Sequence, residues 1–455
     1  MTVTSSGMPG AMSAARPQLI RALNEQLLLG HIRDRGPCSR ADLARLSGLS
    51  KPTVSLALAT VEQAGLIREA GQRIGRPGRS ALLYEIRPEA GFVLGLDVGA
   101  QYVRGALTDL AGEVRVRSSA RSHASGGRSR VEELASLAGE LCAKAGLTLS
   151  DVTQTVIGSP GIYDARRNAM ALTGGLPGWD RPIVLSRLRE VFGQALVVEN
   201  DVDAAALAER AQGHGREVDT FAFVSVGTGI GMGLVLGGQI FRGAHGVAGE
   251  IAYMPMTGGH GTDPADARKR GALEASASAP AVVRAARRAG MRGQVSARRV
   301  FTAAAHGDER AAVVVAEEAM LVARVLCAVV TVVDPELIVL GGGVGQAPGF
   351  AAAVTAELRS IAPVMPDVRV SALGTDAVVD GCLASGAELA WAQLTGGPAG
   401  SPAPAGSPAP AVAKADGAGA DGGTGPPGPG SDAPRPGGPG PGVAWDMAAD
   451  DPEAR

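Results

Sequence analysis

The chain has 455 residues, 45% of them hydrophobic, which is enough for two or three domains with sizeable cores, and its formal net charge is −2. Its four cysteines lie far apart without a C-x-x-C pair, and no apolar run reaches about 18 residues, so composition excludes a disulfide scaffold, a cysteine zinc cluster and a membrane-spanning helix. Because the first residues also lack the apolar segment of a signal peptide, we expect a cytoplasmic protein with reduced thiols.

The charge is distributed unevenly along the chain. Residues 1–90 contain 12 Lys and Arg against 7 Asp and Glu, a balance of +5, whereas residues 396–455 contain 3 against 7, a balance of −4. A basic first segment indicates a polyanionic partner.

Composition and hydrophobic periodicity divide the chain into four segments. Residues 1–15 are small and polar, and we expect them to be disordered. Residues 16–88 are typical of a compact helical domain ending in a hairpin, and residues 89–395 alternate strands and helices as in an α/β domain. The Gly-, Pro- and Ala-rich tail at 396–455 has too few apolar residues for a core, so we expect it to be disordered.

Residues 19–67 show the spacing of a helix–turn–helix. The first predicted helix, Leu19–Arg33, has apolar residues at helical spacing, namely Leu19, Leu23, Leu27, Leu28 and Ile32. Ser39 and Asp42 predict a capping box for a second helix that runs to about Leu46, and Gly48 ends it.

A third helix is predicted to begin after Ser50, its N-cap, with Pro52 in the first turn and with Val54, Leu58 and Val61 buried. In helix–turn–helix proteins the second helix of the motif enters the major groove of DNA. Its exposed polar residues are the candidate base contacts: Lys51, Thr53 and Ser55.

The residues after this motif predict a hairpin with a basic tip. Arg73, Arg76 and Arg79 lie on a Gly/Pro loop between two predicted strands, which is typical of a wing that reaches the DNA backbone or minor groove. The whole segment therefore predicts a winged helix–turn–helix. The alternative is a helical protein-interaction domain with solvated arginines.

Three glycine-rich turns follow predicted strands in the α/β segment, within Phe92–Asp109, Phe221–Phe241 and Leu337–Gly345. Glycines at such turns let backbone N–H groups approach phosphate oxygens. The candidate nucleotide-loop residues are Asp97, Gly99, Gly227, Thr228, Gly229 and Gly342.

The order of these turns, together with VSVGTGIGMGLVLGGQIFRGAHGVAGEIAYMP, resembles the ROK family of repressors and sugar kinases over about residues 90–394. The resemblance implies a two-lobed actin-like ATPase fold with a sugar cleft between the lobes. The N-terminal segment resembles the family's xylose and N-acetylglucosamine repressor branch.

The resemblance also implies a set of ligand-binding residues: Asn200, Asp201, Glu250 and Glu274. In family kinases an Asp at the position of Asp201 is the base that accepts the proton of the attacked hydroxyl. The alternative is that Asp201 only caps a helix over Ala204–Ala211. Ser159–Gly161 and Leu176–Trp179 resemble the loops that form the floor of the pocket.

The sequence departs from the family pattern at several positions. Gln101 replaces the usual Thr of the first phosphate loop, and Gly175 replaces an Asn. Tyr253 replaces a His that contacts sugar and binds zinc, and Ala272 stands where the last zinc-binding cysteine would be. A substitute zinc site from His260, Asp263 and Asp266 is disfavoured because a single His and two loop carboxylates form a poor zinc site. We therefore expect no metal, no cofactor and no catalytic residue.

These observations favour a transcriptional regulator, most simply a repressor, of carbohydrate-related genes. We expect it to bind a palindromic duplex operator as a homodimer or homotetramer and to sense a sugar or sugar derivative. The second hypothesis is an ATP-dependent sugar kinase carrying an additional DNA-binding domain. The third is a constitutive DNA-binding protein whose α/β domain serves only for dimerisation.

Overall fold

The computed structural model describes residues 10–74, 80–164, 168–173, 175–255 and 264–395, and only the backbone of residues 10–18, 74, 264 and 266. In the N-terminal unit, residues 10–86, three helices are combined with a small antiparallel sheet in which β3 lies between β1 and β2. The elements are α1 Gly10–Arg35, β1 Cys38–Ser39, α2 Arg40–Ser47, α3 Lys51–Gln63, β2 Ile67–Ile74 and β3 Ser80–Ile86.

The turn between α2 and α3 is fixed by local hydrogen bonds. The Ser39 hydroxyl accepts from the Asp42 N–H, and the Asp42 carboxylate accepts from the Ser39 N–H, so the predicted capping box is confirmed. Gly48 ends α2 with φ 70°, a left-handed conformation that favours glycine. Ser50 then caps α3 by accepting from the Thr53 N–H at 3.3 Å, as predicted.

Helix α1 differs from its prediction in two ways. It begins at Gly10, inside the segment predicted to be disordered, because Ala-rich sequence has high helix propensity even where it cannot form a core. Its apolar residues also do not share one buried face. Leu28 and Ile32 are buried against α2 and α3, whereas three others are about half exposed: Leu19, Leu23 and Leu27.

The first lobe of the α/β domain contains a sheet in the order β10-β7-β4-β5-β6. Strands β4, β7 and β10 are parallel, so their carboxyl ends meet at one edge. The elements are β4 Phe92–Val98, β5 Tyr102–Asp109, β6 Val114–Arg121, α4 Gly127–Lys144, β7 Gln154–Ser159, β8 Ile162–Asp164, β9 Ala169–Ala171, α5 Pro182–Phe192 and β10 Leu196–Asn200.

The second lobe contains a sheet in the order β13-β12-β11-β14-β15, and α9, α10, α11 and α13 form a large apolar core with it. The elements that follow β10 are α6 Asp201–Gln212, β11 Phe221–Val226, β12 Ile230–Leu236, β13 Gln239–Ile240, α7 Pro264–Arg270, α8 Ala272–Ser276, α9 Ala279–Arg288, α10 Ala297–Ala305, α11 Glu309–Val333, β14 Leu337–Gly341, α12 Gly342–Gly345, α13 Phe350–Ile361, β15 Asp367–Val370 and α14 Ala377–Thr395. Within the described ranges, no helix has both the length and the apolar character required to cross a bilayer.

Helices α6 and α14 connect the lobes. They cross in close contact, and a Cβ at Gly381 of α14 would overlap the carbonyl of Ala204 in α6. Helix α6 also packs on the second sheet and α14 on the first. The end of α14 contacts the N-terminal unit, where Gln26 Nε2 donates to Thr395 Oγ1 at 3.0 Å and Arg33 pairs with Glu388 at 3.0 Å. The N-terminal unit is therefore packed directly on the α/β domain.

Candidate functional site

Asn200 organises the edge where the parallel strands of the first lobe end. Its Oδ1 accepts from the N–H groups of Val202 and Asp203 at 2.9 and 3.0 Å, and its Nδ2 donates to the Gly161 carbonyl at 3.0 Å. Asn200 is thus the N-cap of α6, which begins at Asp201. The alternative that Asp201 caps a helix starting at Ala204 is wrong, since the helix begins earlier and the neighbouring residue caps it.

Three of the predicted ligand-binding residues are carboxylic acids that interact with one another. Burial raises the pKa of Asp201 to about 7, and repulsion from Asp97 and Glu250 contributes. Burial also raises the pKa of Glu250 to about 7, together with repulsion from Glu274. Asp97, Asp201, Glu250 and Glu274 are therefore linked by electrostatic interactions, and in the cleft that the family resemblance implies their carboxylates could accept hydrogen bonds from ligand hydroxyl groups.

The glycine turns of the second lobe lie beside this cluster. Glu274 Oε2 accepts from the Ile230 N–H at 3.2 Å, and a Cβ at Gly229 would come within 2.7 Å of the same oxygen. A Cβ at Gly227 would lie 3.5 Å from the Gly343 nitrogen, because β11 and β14 are parallel neighbours. The predicted loop residues Gly227, Gly229 and Gly342 are therefore close in space, and Thr228 between them is exposed.

The strands on either side of the predicted first phosphate loop are joined by an ion pair that the sequence analysis missed. Asp97 Oδ2 accepts from Arg104 Nη1 at 2.9 Å, and the two residues face each other across the β4–β5 pair. Burial raises the pKa of Asp97 to about 6 although Arg104 opposes the shift. The Gly99 carbonyl accepts from Arg130 Nη1 at 2.7 Å. The sequence could have indicated the Asp97–Arg104 ion pair, because a tight hairpin places these two residues opposite each other on one face of the sheet.

A second ion pair joins the two lobes next to Asp201. Arg242, after β13, contacts Glu199 through Nη2 at 2.7 Å and Nε at 3.3 Å. Glu199 is 2% exposed and immediately precedes Asn200. Sequence reasoning also missed this pair. The sequence feature that could have indicated this ion pair is Arg242 itself, a single charged residue inside the glycine-rich run GGQIFRGAHG.

The two predicted floor loops contact each other. The Ser159 hydroxyl accepts from Trp179 Nε1 at 2.8 Å, and both residues are fully buried. Burial and repulsion from Glu250 and Glu274 raise the pKa of Tyr253, so this residue lies beside the carboxylates of the cleft.

Among the described residues, the positions that correspond to the family's zinc ligands do not suit a structural zinc. Tyr253 and Ala272 supply no imidazole or thiolate, and no group of three His, Cys, Asp or Glu side chains suited to a metal occurs among the described residues. His260 and Asp263 lie outside the described residues, as does the side chain of Asp266. The expectation of a zinc-free protein stays a prediction that elemental analysis of the purified chain tests.

The candidate DNA-contacting residues of the N-terminal unit have different surroundings. Lys51 is exposed at the start of α3, whereas Thr53 and Ser55 are half-buried, and the Thr53 hydroxyl lies 2.8 Å from that of Ser50. Arg73 is exposed but pairs with Asp42 at 2.9 Å. Arg76 and Arg79 lie outside the described residues.

Comparison with known proteins agrees with this architecture. A profile of the ROK family matches residues 93–391. A putative xylose repressor of Caldicellulosiruptor sp. (strain Rt8B.4) is 31% identical over 240 residues, which are 52% of this chain and 60% of the relative, so the chain spans less than two thirds of that relative.

Two solved structures have the same fold. A ROK family transcriptional regulator, described as a homologue of the E. coli MLC protein, superposes with a TM-score of 0.67 at 24% identity and covers 83% of this chain and 98% of its own. A ROK hexokinase from Thermus thermophilus superposes with a TM-score of 0.54 at 31% identity, covering 64% and 97%. The α/β domain thus has the actin-like fold of ROK sugar kinases. Because the family profile spans more than half of the sequence, the chain belongs to the ROK family.

Proposed function

We propose that this protein is a carbohydrate-responsive transcriptional repressor that binds duplex DNA through its N-terminal unit. The observation that carries the proposal is the capped helix pair α2–α3, followed by the β2–β3 hairpin and packed on the end of α14 in the ROK domain. The similarity to a putative xylose repressor, at 31% identity over 240 residues, supports it. In this proposal the N-terminal unit is a winged helix–turn–helix and the β2–β3 hairpin is the wing.

DNA binding follows from the surface of α3. The helix buries Val54, Leu58 and Val61 and directs Lys51 at its N-terminus to solvent. The N-terminal residues of such a helix contact base edges, while basic residues on a neighbouring hairpin contact phosphates. One such unit reads few base pairs, so we infer that two copies bind paired half-sites.

The double variant Arg76→Ala/Arg79→Ala is expected to weaken binding to a mixed-sequence duplex by roughly tenfold or more, because each lost phosphate contact also removes counterion release. The slope of log affinity against log salt should fall by about 2. Fluorescence anisotropy across a salt series measures both. Arg292→Ala/Arg298→Ala, at two exposed positions of the second lobe, is the matched control. Equal binding by the wing variant and the wild type would exclude these arginines from the interface.

The cleft acts as the sensor in this proposal. Ligand hydroxyl groups would donate to Asp201, Glu250 and Glu274, and the ion pairs at Asp97 and Glu199 hold the surrounding loops. A thermal-shift screen with sugars, sugar phosphates and ATP identifies the effector. A stabilising sugar supports the sensor role, whereas the absence of any shift would favour the constitutive DNA-binding alternative.

Effector affinity is expected to increase by about tenfold between pH 6 and pH 8, because Asp201 and Glu250 accept hydroxyl hydrogen bonds best when charged and their pKa values are about 7. The free energy of unfolding of the ligand-free chain should instead decrease with pH. The folded pKa values of Asp201 and Glu250 exceed their ordinary ones, so the folded state loses stability as pH rises from about 4 to about 7 and little beyond. Calorimetric titration of the stabilising sugar measures the first trend. Glu250→Gln should weaken binding and flatten the profile, and Glu217→Gln, at an exposed position, is the control.

A sugar kinase is the second candidate, favoured by the position of Asp201 in the cleft and by the 31% identity to a ROK hexokinase. We rank it lower because Asp97 is ion-paired with Arg104 and Gln101 occupies the phosphate loop. Phosphoryl transfer depends on exact placement of the phosphate, so these changes cost rate more than binding. Consumption of ATP near 10 per second, on the order of an ordinary enzyme, would reverse this ranking if Asp201→Ala abolished it.

A further inference from the structure

A line of apolar and small residues on α1 is open to solvent. The α1 stripe consists of Leu19, Leu23, Leu27 and Gly30, of which the three leucines are 53, 48 and 42% exposed. A Cβ at Gly30 would meet nothing within 4 Å. Residues spaced by three or four lie in one row along a helix, so the stripe is continuous over about three turns.

The stripe faces away from the DNA-reading helix. The opposite side of α1 buries Leu28, Leu29 and Ile32 against α2 and α3. Gln26 and Arg33, on the flank of the stripe, contact α14. A partner seated on the stripe would therefore leave the N-terminus of α3 free for DNA.

The size of the stripe indicates what kind of partner it fits. Three half-exposed leucines offer a few hundred Å² at most, well below the roughly 800 Å² that each partner contributes to a stable interface. So small a contact forms only when something else holds the two molecules together. Two copies on neighbouring half-sites meet this condition, and a twofold axis would place the stripe of each copy on that of the other. Gly30 would allow the two helix backbones to approach closely.

We propose that the α1 stripe packs against the α1 stripe of a second copy when both copies occupy one operator, and that this contact sets the spacing of the half-sites. The inference rests on the proposed function. It adds a dimer contact that forms on DNA and involves the N-terminal units alone.

Selection from a random 40-base-pair duplex library with the full-length chain tests the proposal. The wild type should enrich paired half-sites at one fixed spacing. Leu19→Gln/Leu23→Gln should enrich the same half-site without a fixed spacing, and should bind the wild-type paired duplex about tenfold more weakly while binding a single half-site equally well. Val313→Gln, on α11 and 56% exposed, replaces a comparable apolar side chain elsewhere and should behave as the wild type.

Each result has a separate meaning. If the wild type enriches no motif, the proposed DNA-binding function fails. If it enriches a spaced motif and the stripe variant enriches the same spacing with equal affinity, the stripe proposal alone fails.

Disulfide trapping provides a second readout that does not depend on spacing. In a Cys327→Ser background, Leu23→Cys should form a covalent dimer on the selected duplex and little dimer without DNA. No trapping on DNA, or loss of the free oligomer in the glutamine variant by light scattering, would contradict a contact that forms on the operator.

Discussion

Gly381→Ala is expected to lower the free energy of unfolding by about 3 kcal/mol, because the added methyl group overlaps a backbone carbonyl and neither helix can relieve the overlap by rotating a side chain. The carbonyl belongs to Ala204, where α6 crosses α14. Helix α6 begins at the cleft residue Asp201, and α14 ends against α1 of the N-terminal unit. Separation of the two helices would therefore disturb the packing between the cleft and the DNA-binding unit.

The matched control is Gly139→Ala on α4. A Cβ at Gly139 would meet nothing within 4 Å, so the substitution should stabilise the chain by about 0.5–1 kcal/mol through helix propensity. Urea unfolding of both variants measures the difference. Similar effects of the two substitutions would show that the α6–α14 crossing adapts to an added methyl group.

Sequence patterns predicted the elements whose signals are local. The capping box at Ser39 and Asp42, the left-handed glycine at Gly48 and the N-cap at Ser50 each act within four residues, so spacing alone identifies them. The resemblance to the ROK family predicted which carboxylates belong to the ligand site. In the structure two of them, Asp201 and Glu250, lie close enough for Glu250 to help raise the pKa of Asp201.

Sequence patterns did not predict pairings that depend on three-dimensional packing. Arg104 reaches Asp97 only because of the strand register, and Arg242 reaches Glu199 only because the lobes meet there. Arg73 satisfies every criterion for a wing arginine, yet its guanidinium pairs with Asp42 of the same unit. Periodicity also could not separate the buried and exposed apolar residues of α1, because both sets have helical spacing.

The pair between Arg242 and Glu199 provides the other prediction of large effect. Arg242→Met should destabilise the fold by about 3–5 kcal/mol, since it removes a counter-ion that lies 2.7 Å from the buried Glu199 carboxylate and 3.8 Å from the buried Asp203 carboxylate. Arg369→Met breaks a pair in which both side chains are about half exposed, at 53 and 51%, and should cost at most about 1 kcal/mol. Chemical denaturation should therefore show a clearly larger loss of unfolding free energy for Arg242→Met than for Arg369→Met.

The double variant Glu199→Leu/Arg242→Met distinguishes an unpaired charge from lost packing. Removing both charges should restore part of the stability, because an apolar pair of similar volume needs no counter-ion, while Asp203 still loses its 3.8 Å contact with Arg242. If the double variant is as unstable as Arg242→Met, the pair with Glu199 contributes little, and the packing of Arg242 or its contact with Asp203 matters instead. Effector binding should stay weak in the double variant even when stability returns, because Glu199 directly precedes Asn200 and Asp201 and its ion pair holds that strand end against the second lobe. DNA binding should be retained, since the hydrogen bonds that fix the α2–α3 turn at Ser39 and Ser50 are local to the N-terminal unit.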